Sequence, residues 1–560
     1  MTALALAETL EVLNPHTTIK SSVNDDSSVQ KIERTYSEEL VIGICSPIGS
    51  MKSSIIDTIQ SAITSKYGYE CEVIKLSTFI TKHGKAFMNT GTTTSADKIR
   101  HLINQGNELR EEYKSKALLA ELAILDIFKK RAGDPSSEEL EKLLGVNRIP
   151  ELFDRTGEYE NIFKSKRKCY IIDSIKTTEE VKLFRSIYRE LFYFVSVFTP
   201  DKDRKENLTE KFISTTEAEE IMAIDSDEAN NIYGQKVRDS FVLGDFFINV
   251  TRRNNFDVHK KIIRFLDIVF DTKIITPTVH ETAMYHAKSA ATNSACLSRQ
   301  VGAAVTDASG KVLAVGWNDV PKFGGSLYQS ETGTEGPEND ARCMFRTYSA
   351  DNKLIPGLGM CFNDHEKTVI ANELTALLVK EGIIEEAKAG ATQIALRGSK
   401  IKELIEYSRA VHAEMHAIIT ASQTSGASMK KAHLYCTTYP CHNCGRHIIA
   451  AGIEAVYYIE PYTKSLSTRL HSDAMTEDED DTSKVRILMF EGVAPNRYLK
   501  FFSIHEKRKL SNGTAVTLSP EELRRIKPKT RLTLRALPVL EVQALHALID
   551  KGFSLESKVR

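Results

Sequence analysis

One histidine and two cysteines in the second half of the chain constrain how that half can fold. His412 opens a run of alanines and isoleucines at helical spacing, and Cys441 and Cys444 follow Pro440 at the start of a second helical run. Strand-like segments at 432–438 and 455–459 flank the second run. The pattern predicts an α/β arrangement in which all three side chains lie in the first turn of a helix, where the helix dipole favours thiolates.

These three residues have the chemistry of zinc ligands. One imidazole and two thiolates fill three tetrahedral positions of zinc and leave the fourth for water, whose pKa the metal lowers. Glu414, two residues after His412, is then placed to take the water proton and deliver it to a ring nitrogen and to leaving ammonia. The pattern H-x-E…P-C-x-x-C is the signature of zinc-dependent nucleobase deaminases, in which hydroxide attacks the ring carbon that carries the amino group.

Other interpretations of the same residues are weaker. A C-x-x-C pair can be a redox pair or half of a structural zinc site, but a structural site needs four protein ligands. A zincin has its glutamate directly after the first histidine, whereas here Ala413 separates His412 from Glu414. We expect His416 to lie on the helix face, bonded locally or near the substrate, and not to bind metal.

The whole chain has the length and composition of a multidomain globular protein. It has 560 residues, of which 41% are hydrophobic, and a formal net charge of −1, so at least two domains are expected. The near-neutral charge argues against a nucleic-acid-binding surface. Nine cysteines without a secretory signal, and the lack of a 20-residue apolar stretch, predict a cytoplasmic protein that does not enter a membrane.

Composition and motifs predict the domain limits. We expect a flexible leader at 1–38, a first domain at 39–270, a second at 277–505 with an insertion at about 322–405, and a C-terminal extension at 506–560. The acidic run 476–481 is expected to be a solvated loop.

The first domain contains a modified phosphate loop. A strand-like run at 40–45 is followed by a loop and a helical run, which is the setting of a P-loop. Ser46 and Met51 replace the two consensus glycines, and the side chain of Met51 appears where backbone normally approaches phosphate. The candidate nucleotide-binding residues are Gly49, Ser50, Lys52, Ser53 and Asp173.

Asp173 ends a strand-like run at 169–173, where the carboxylate of a Walker-B-type motif would lie. A further strand pattern at 193–198 precedes a basic cluster that contains Arg204. Strands that alternate with helices predict a parallel sheet of P-loop nucleotide-kinase type. The domain could bind ATP or a dNTP with Mg²⁺, or it could be an inherited scaffold that binds nothing.

The segments before His412 resemble the deoxycytidylate deaminase branch of the zinc-deaminase superfamily. That branch has a Q-V-G-A strand and a G-x-N-x-x-P segment, and this chain has Gln300 to Ala303, then Gly316, Asn318 and Pro321. The resemblance implies a cytidine-deaminase-like α/β/α domain in which Asn318 contacts the sugar or phosphate of the nucleotide. Alternatively, Asn318 only forms a turn.

Over nearly its whole length the chain resembles the bacterial anti-phage dCTP deaminases, which pair a kinase-like front half with this deaminase. Further stretches that carry the resemblance lie at 234–239, 407–414 and 490–495. The resemblance implies deamination of dCTP, with dCDP or dCMP as alternatives, to deplete the dCTP pool during infection. It also implies a switch that keeps this activity off in healthy cells, and a homo-oligomer. Arg299 and Arg409 are candidate phosphate contacts or surface ion-pair partners.

Two rival functions stay open at this point. One is a deaminase of RNA or single-stranded DNA, which would need an open basic groove with stacking aromatics. The other is a nucleotide-sensing switch protein. A second zinc site at Cys343, Cys361 and His365 is also conceivable, but their irregular spacing favours three residues without a metal.

Overall fold

The computed structural model describes residues 28, 36–87, 93–144, 166–228, 231–330, 339–349, 351, 353–425, 429–462, 465–503, 508–529, 532 and 536–554. Most of the predicted leader at 1–38 therefore lies outside the described residues. No helix within these ranges is both long and apolar enough to cross a membrane.

The described strands form two six-stranded sheets and one hairpin. They are β1 Leu40–Cys45, β2 Glu70–Lys75, β3 Lys168–Asp173, β4 Phe192–Phe198, β5 Phe246–Asn249, β6 Gly302–Thr306, β7 Val312–Trp317, β8 Arg346–Tyr348, β9 Leu354–Pro356, β10 His433–Thr438, β11 Ala455–Glu460, β12 Met475–Thr476, β13 Val485–Met489 and β14 Gly492–Val493.

The α-helices follow in the same chain order. They are α1 Lys52–Ser65, α2 Leu76–His83, α3 Ser95–Glu112, α4 Leu118–Ala132, α5 Ser137–Leu144, α6 Thr178–Tyr188, α7 Asp201–Thr209, α8 Thr215–Ser226, α9 Val237–Phe241, α10 Val258–Val269, α11 Val279–Ala291, α12 Phe362–Lys380, α13 Ala389–Gly398, α14 Ala413–Ser425, α15 His442–Ala450, α16 Ser467–Leu470, α17 Tyr498–Phe502, α18 Pro520–Leu523 and α19 Ala536–Asp550.

The first sheet has the order β14-β5-β4-β1-β3-β2, and its members are parallel except for β14. All six residues of β1 are buried, as expected for a parallel strand covered on both faces. Helices α1 and α10 contribute to the core on one face, and α4, α6 and α19 contribute to the core on the other. The predicted parallel sheet is thus confirmed, while its kinase-like identity stays a prediction.

The second sheet has the order β12-β13-β11-β10-β6-β7. Strands β10 to β13 are parallel, whereas β6 and β7 form an antiparallel hairpin. A Cβ on Gly302 would lie 1.9 Å from the Ala287 oxygen of α11, and one on Gly316 would lie 2.4 Å from the Ala417 nitrogen of α14. Because Gly302 pairs with Trp317 and Ala303 pairs with Gly316, the two helices cover opposite faces of this sheet. Gly316 in particular lets α14 approach β7 closely.

The two halves of the chain are joined through β14. This strand follows the second sheet in sequence but pairs antiparallel with β5, at the edge of the first sheet. Phe247 of β5 contacts Phe490 edge to face, with 6.0 Å between ring centroids, and one hydrophobic core includes side chains of both sheets. The domain limits predicted from the sequence therefore separate segments that share a sheet and a core.

The predicted insertion at about 322–405 contains β8, β9, α12 and α13. Polar contacts join its two helices, including an ion pair of 3.1 Å between Arg397 and Asp364. None of the described residues of α13 is buried.

Candidate metal centre and catalytic site

The starts of α14 and α15 bring the three predicted zinc ligands together. His412 directly precedes α14, where the backbone of Val411 pairs with that of Asp319. Cys441 is the N-cap residue of α15, and Cys444 lies in its first turn. As the sequence pattern predicted, each of the three residues lies at the start of a helix.

The ligand atoms have the spacing of a zinc site. His412 Nδ1 lies 3.3 Å from the Sγ atoms of both Cys441 and Cys444. A tetrahedral zinc centre with ordinary Zn–N and Zn–S bonds separates nitrogen from sulfur by about 3.6 Å. In the described part of the chain, this trio is the one group of three or more histidine, cysteine or acidic ligand atoms within 4.8 Å of one another. The donor set therefore fits zinc and contains three protein ligands.

His416 is oriented away from a ligand role. Its Nδ1 accepts a hydrogen bond of 3.2 Å from the backbone N–H of Trp317, and its ring meets the Trp317 ring edge to face at 4.7 Å. Burial lowers the pKa of His416, so the imidazole is neutral near pH 7. It packs α14 against β7.

Hydrogen bonding among the three side chains shifts the pKa values of Cys441 and His412. The hydrogen bond with Cys444 is the largest cause that lowers the pKa of Cys441 to about 4, and the bond with His412 adds to it. The same contact with Cys441 raises the pKa of His412 to about 9. The pKa of Cys441 is thus lowered towards the thiolate form, in which both cysteines would bind a metal.

Glu414 lies in the first turn of α14 and is 4% exposed. Burial raises the pKa of its carboxyl group, and the negative charge of Cys441 raises it further. A raised carboxyl pKa suits a group that must both accept and release a proton. Cys436, which the sequence analysis did not identify, is fully buried nearby, and burial together with the Glu414 charge raises the pKa of its thiol. Its only sequence signal is an inward position on β10.

Asn318 holds the backbone beside the site. Its Oδ1 accepts a hydrogen bond of 2.7 Å from the Val301 N–H, and its Nδ2 donates one of 2.9 Å to the Arg299 carbonyl. The side chain is thus engaged by the loop that enters β6.

The two candidate arginines lie in different surroundings. Arg299 pairs with Glu460 at 3.2 Å and lies 6.0 Å from the Tyr462 ring centroid. Arg409 donates a hydrogen bond of 3.1 Å to the Ala341 carbonyl oxygen and lies over the Phe362 ring.

The acidic run after β12 is more engaged than expected for a solvated loop. The Tyr439 hydroxyl, two residues before Cys441, donates a hydrogen bond of 2.7 Å to Glu477. Asp480 pairs with Arg253 of the first half. Neither contact had a signal in the sequence, because the first depends on packing within the second half and the second on packing between the two halves.

The phosphate-loop-like residues lie at the carboxyl ends of β1 and β3, where Ile44 and Asp173 are adjacent. Lys52 Nζ contacts Asp173 Oδ1 at 2.5 Å and also contacts Ser174 Oγ. Gly49 has a φ of +82°, and a Cβ there would lie 2.8 Å from the Arg204 carbonyl oxygen. Ser50 has a buried hydroxyl without a partner, whereas Ser53 is exposed on α1.

Cys343, Cys361 and His365 do not form a second close ligand group within the described ranges. Burial raises the pKa of Cys343 to about 11. Cys361 Sγ contacts Ser298 Oγ at 3.4 Å, and His365 lies against Tyr348. Whether the three residues bind a metal stays the open question that their irregular spacing raises.

Comparison with known proteins places the metal centre within a described family region. Residues 277–460 match the family model of the cytidine and deoxycytidylate deaminase zinc-binding region. ComE operon protein 2 of Bacillus subtilis is 48% identical over 54 residues, which are 10% of this chain and 28% of that protein. Deoxycytidylate deaminase of Enterobacteria phage T4 is 38% identical over 55 residues, which are 10% of this chain and 28% of that protein. The chain thus matches less than a third of the length of these relatives.

Two solved structures match part of this chain. The dCMP deaminase from the cyanophage S-TIM5 in apo form has 17% identity and a TM-score of 0.20, over 38% of this chain and 99% of that one. The same deaminase in complex with dCMP and dUMP has 18% identity and a TM-score of 0.21, over 38% of this chain and 98% of that one. Residues 277–460 are thus similar to the cytidine and deoxycytidylate deaminase zinc-binding region, and the candidate trio of ligands lies within this stretch.

Proposed function

We propose that this protein is a zinc-dependent hydrolase that converts a deoxycytidine nucleotide to the deoxyuridine nucleotide, with dCTP as the preferred substrate and dCDP or dCMP as alternatives. The observation that carries the proposal is His412 Nδ1 at 3.3 Å from both cysteine sulfurs, with buried Glu414 two residues away. Three protein ligands leave one tetrahedral position for a reactant.

The chain's own residues have distinct roles in this reaction. His412, Cys441 and Cys444 would hold zinc, which when bound makes a water acidic enough to react near pH 7. Glu414 accepts the water proton and transfers it to the ring nitrogen. It then takes the proton of the new hydroxyl group at C4 and delivers it to the departing amine, so that a carbonyl group forms and ammonia leaves. Its burial keeps bulk water from competing for that proton.

A free nucleotide is the better substrate class than a polymer. The catalytic carboxyl group is 4% exposed, and the formal net charge is −1, whereas a polynucleotide deaminase needs an open basic groove. Arg299 and Arg409 are the proposed phosphate contacts, and Asn318 is proposed to position the loop that carries Arg299.

For the first half we propose binding of ATP or a dNTP with Mg²⁺ at the loop that contains Gly49, Ser50, Lys52 and Ser53, opposite Asp173. The close approach of Lys52 to Asp173 supports this assignment. The resemblance to anti-phage dCTP deaminases supports depletion of the dCTP pool as the biological role, with the first half as a regulatory module. Self-association stays a prediction that light scattering of the purified protein can test.

The direct test incubates the purified, zinc-loaded protein with dCTP, dCDP, dCMP and a cytosine-containing single-stranded oligonucleotide, and identifies the products by mass. We expect uracil products from the free nucleotides and none from the oligonucleotide. Deamination of the oligonucleotide alone would overturn the substrate class.

Glu414→Ala tests the mechanism in the same assay. We expect normal zinc content and a loss of turnover of about 10²-fold or more, the usual contribution of a general acid–base group. Wild-type turnover in this variant would remove Glu414 from the reaction.

A further inference from the structure

The phosphate-loop-like segment already holds a negative charge supplied by the protein. The backbone N–H of Ile48 donates a hydrogen bond of 2.7 Å to Asp225 Oδ2, near the end of α8. Lys176 Nζ lies 2.7 Å from Asp225 Oδ1 and 2.9 Å from the Ser46 carbonyl oxygen. Asp225 is 1% exposed. A carboxylate thus receives the kind of contacts that a phosphate-binding loop gives to its ligand.

Two donor atoms at the loop, one on Ser50 of the segment and one on Arg204 of α7, have no partner. Arg204 Nη2 and Ser50 Oγ are both buried without a hydrogen bond. The Arg204 side chain is 9% exposed. Its Nε donates a hydrogen bond of 2.8 Å to the Ile48 carbonyl oxygen, which fixes the guanidinium against the loop. A buried guanidinium nitrogen without an acceptor is costly. An anion at the loop would satisfy both groups.

The start of α1 is also open. Met51, its N-cap residue, makes no side-chain capping hydrogen bond, so the first N–H groups of a 14-residue helix face the loop without a cap. The part of the loop at Ile48 is therefore occupied by Asp225. The part at Ser50 and the start of α1 has donors available to an anion.

We propose that Asp225 is an internal competitor for the loop, and that a phosphate ester binds fully only when it displaces the Asp225 carboxylate from Ile48 and Lys176. The proposal rests on the proposed nucleotide binding by the first half and adds a residue that sets its affinity. It also couples ligand binding to α8, because Asp225 lies one residue before the end of that helix.

Helix α8, which carries Asp225, also borders residues of the second half. Met222, Ala223 and Ser226 of α8 line a cleft of about 1290 Å³ between the two halves, and Tyr439 lines the same cleft. A movement of the end of α8 on ligand binding therefore changes a surface that reaches the residue two positions before the zinc ligand Cys441.

The test measures binding of ATP and of inorganic pyrophosphate by calorimetry, with wild type, Asp225→Asn, and Asp227→Asn as a matched control. Asp227 pairs with Arg238 at 2.6 Å. We expect Asp225→Asn to bind at least about tenfold more tightly, since the lost competitor is a charge-assisted hydrogen bond, and Asp227→Asn to match wild type. Lys52→Ala added to Asp225→Asn should remove the gain and thereby assign it to this loop. If Asp225→Asn raises the affinity for pyrophosphate as much as it raises the affinity for ATP, the phosphate group is the part of the ligand that the loop recognises.

Equal affinities of wild type and Asp225→Asn would overturn the competitor role but leave nucleotide binding standing. No binding of either ligand by either protein would overturn both, while deaminase activity is assayed separately. If Asp225→Asn fails to fold, hydrogen exchange of wild type with and without ATP decides the question. Displacement predicts faster exchange at the end of α8, and unchanged or slower exchange there contradicts it.

Discussion

Cys441 and His416 lie near the same pair of helix starts but differ in what their side chains contact. Cys441 Sγ faces His412 Nδ1, whereas His416 Nδ1 is occupied by the Trp317 N–H. We therefore expect Cys441→Ser to lose zinc and His416→Asn, as its control, to retain it, with zinc content measured by elemental analysis. Wild-type zinc in Cys441→Ser would contradict the ligand assignment.

Asn318 offers a second prediction at the residue scale. Its amide bridges the Val301 N–H and the Arg299 carbonyl, so Asn318→Ala leaves a donor and an acceptor without partners. We expect a loss of about 1–3 kcal/mol in the free energy of unfolding, measured by denaturant titration, together with a raised KM because Arg299 is no longer held. Unchanged stability with a raised KM would instead indicate a direct contact of Asn318 with the nucleotide.

Among the elements, α19 is attached to the first half by a buried charge cluster. Arg131 of α4 pairs with Glu541 of α19 at 3.0 Å and with Glu39 at 2.8 Å. The Tyr188 hydroxyl donates a hydrogen bond of 2.9 Å to Glu541. Burial raises the pKa of Glu541 to about 7, although Arg131 opposes the shift. One guanidinium thus faces two carboxyl groups.

This cluster predicts a pH dependence of stability. A carboxyl group with a raised pKa in the folded protein stabilises it below about pH 4.5, and that contribution is lost as pH rises through about 7. We expect the attachment of α19 to be weaker at pH 8 than at pH 5.5, and Glu541→Gln to reduce the difference. Limited proteolysis of the C-terminal segment at the two pH values measures it. Equal cleavage of wild type at both would show that Glu541 stays in one protonation state.

The sequence predicted elements well where the determining interactions are local. The helix starts at His412 and Cys441 follow from Pro440, ligand spacing and apolar periodicity within about thirty residues. The pairing of β14 with β5 and the contact of Asp225 with Ile48 could not be predicted, because each joins residues far apart in the chain. Such contacts depend on packing between elements, which no local pattern encodes.

At the scale of the whole molecule, Asp245 joins the two halves. Its carboxylate accepts hydrogen bonds from Arg185 at 2.8 Å, from Arg497 at 2.9 Å and from the Phe194 N–H at 3.0 Å. Arg497 follows β14, whereas Arg185 and Phe194 belong to the first sheet and its helix layer. Because one core also spans both sheets, we expect a single cooperative unfolding transition.

Asp245→Ala should lower the stability of both halves together, by about 3–5 kcal/mol, because it leaves two arginines near a buried site without their carboxylate. Calorimetry and zinc release should report the same transition. Asp239→Ala is the control, since Asp239 lies in a half-exposed pair with Arg238 at 3.4 Å and should change stability by about 1 kcal/mol or less. Two transitions that move independently would contradict a shared core.

The return of β14 to the first sheet has a consequence for protein engineering. A fragment cut at 277–505, the predicted limits of the second domain, would contain β14 without its partner β5 and would leave β5 with an open edge, and exposed edges of this kind favour aggregation. Moving the second domain into another protein therefore requires that the parallel sheet is kept with it, or that a designed strand replaces the lost partner.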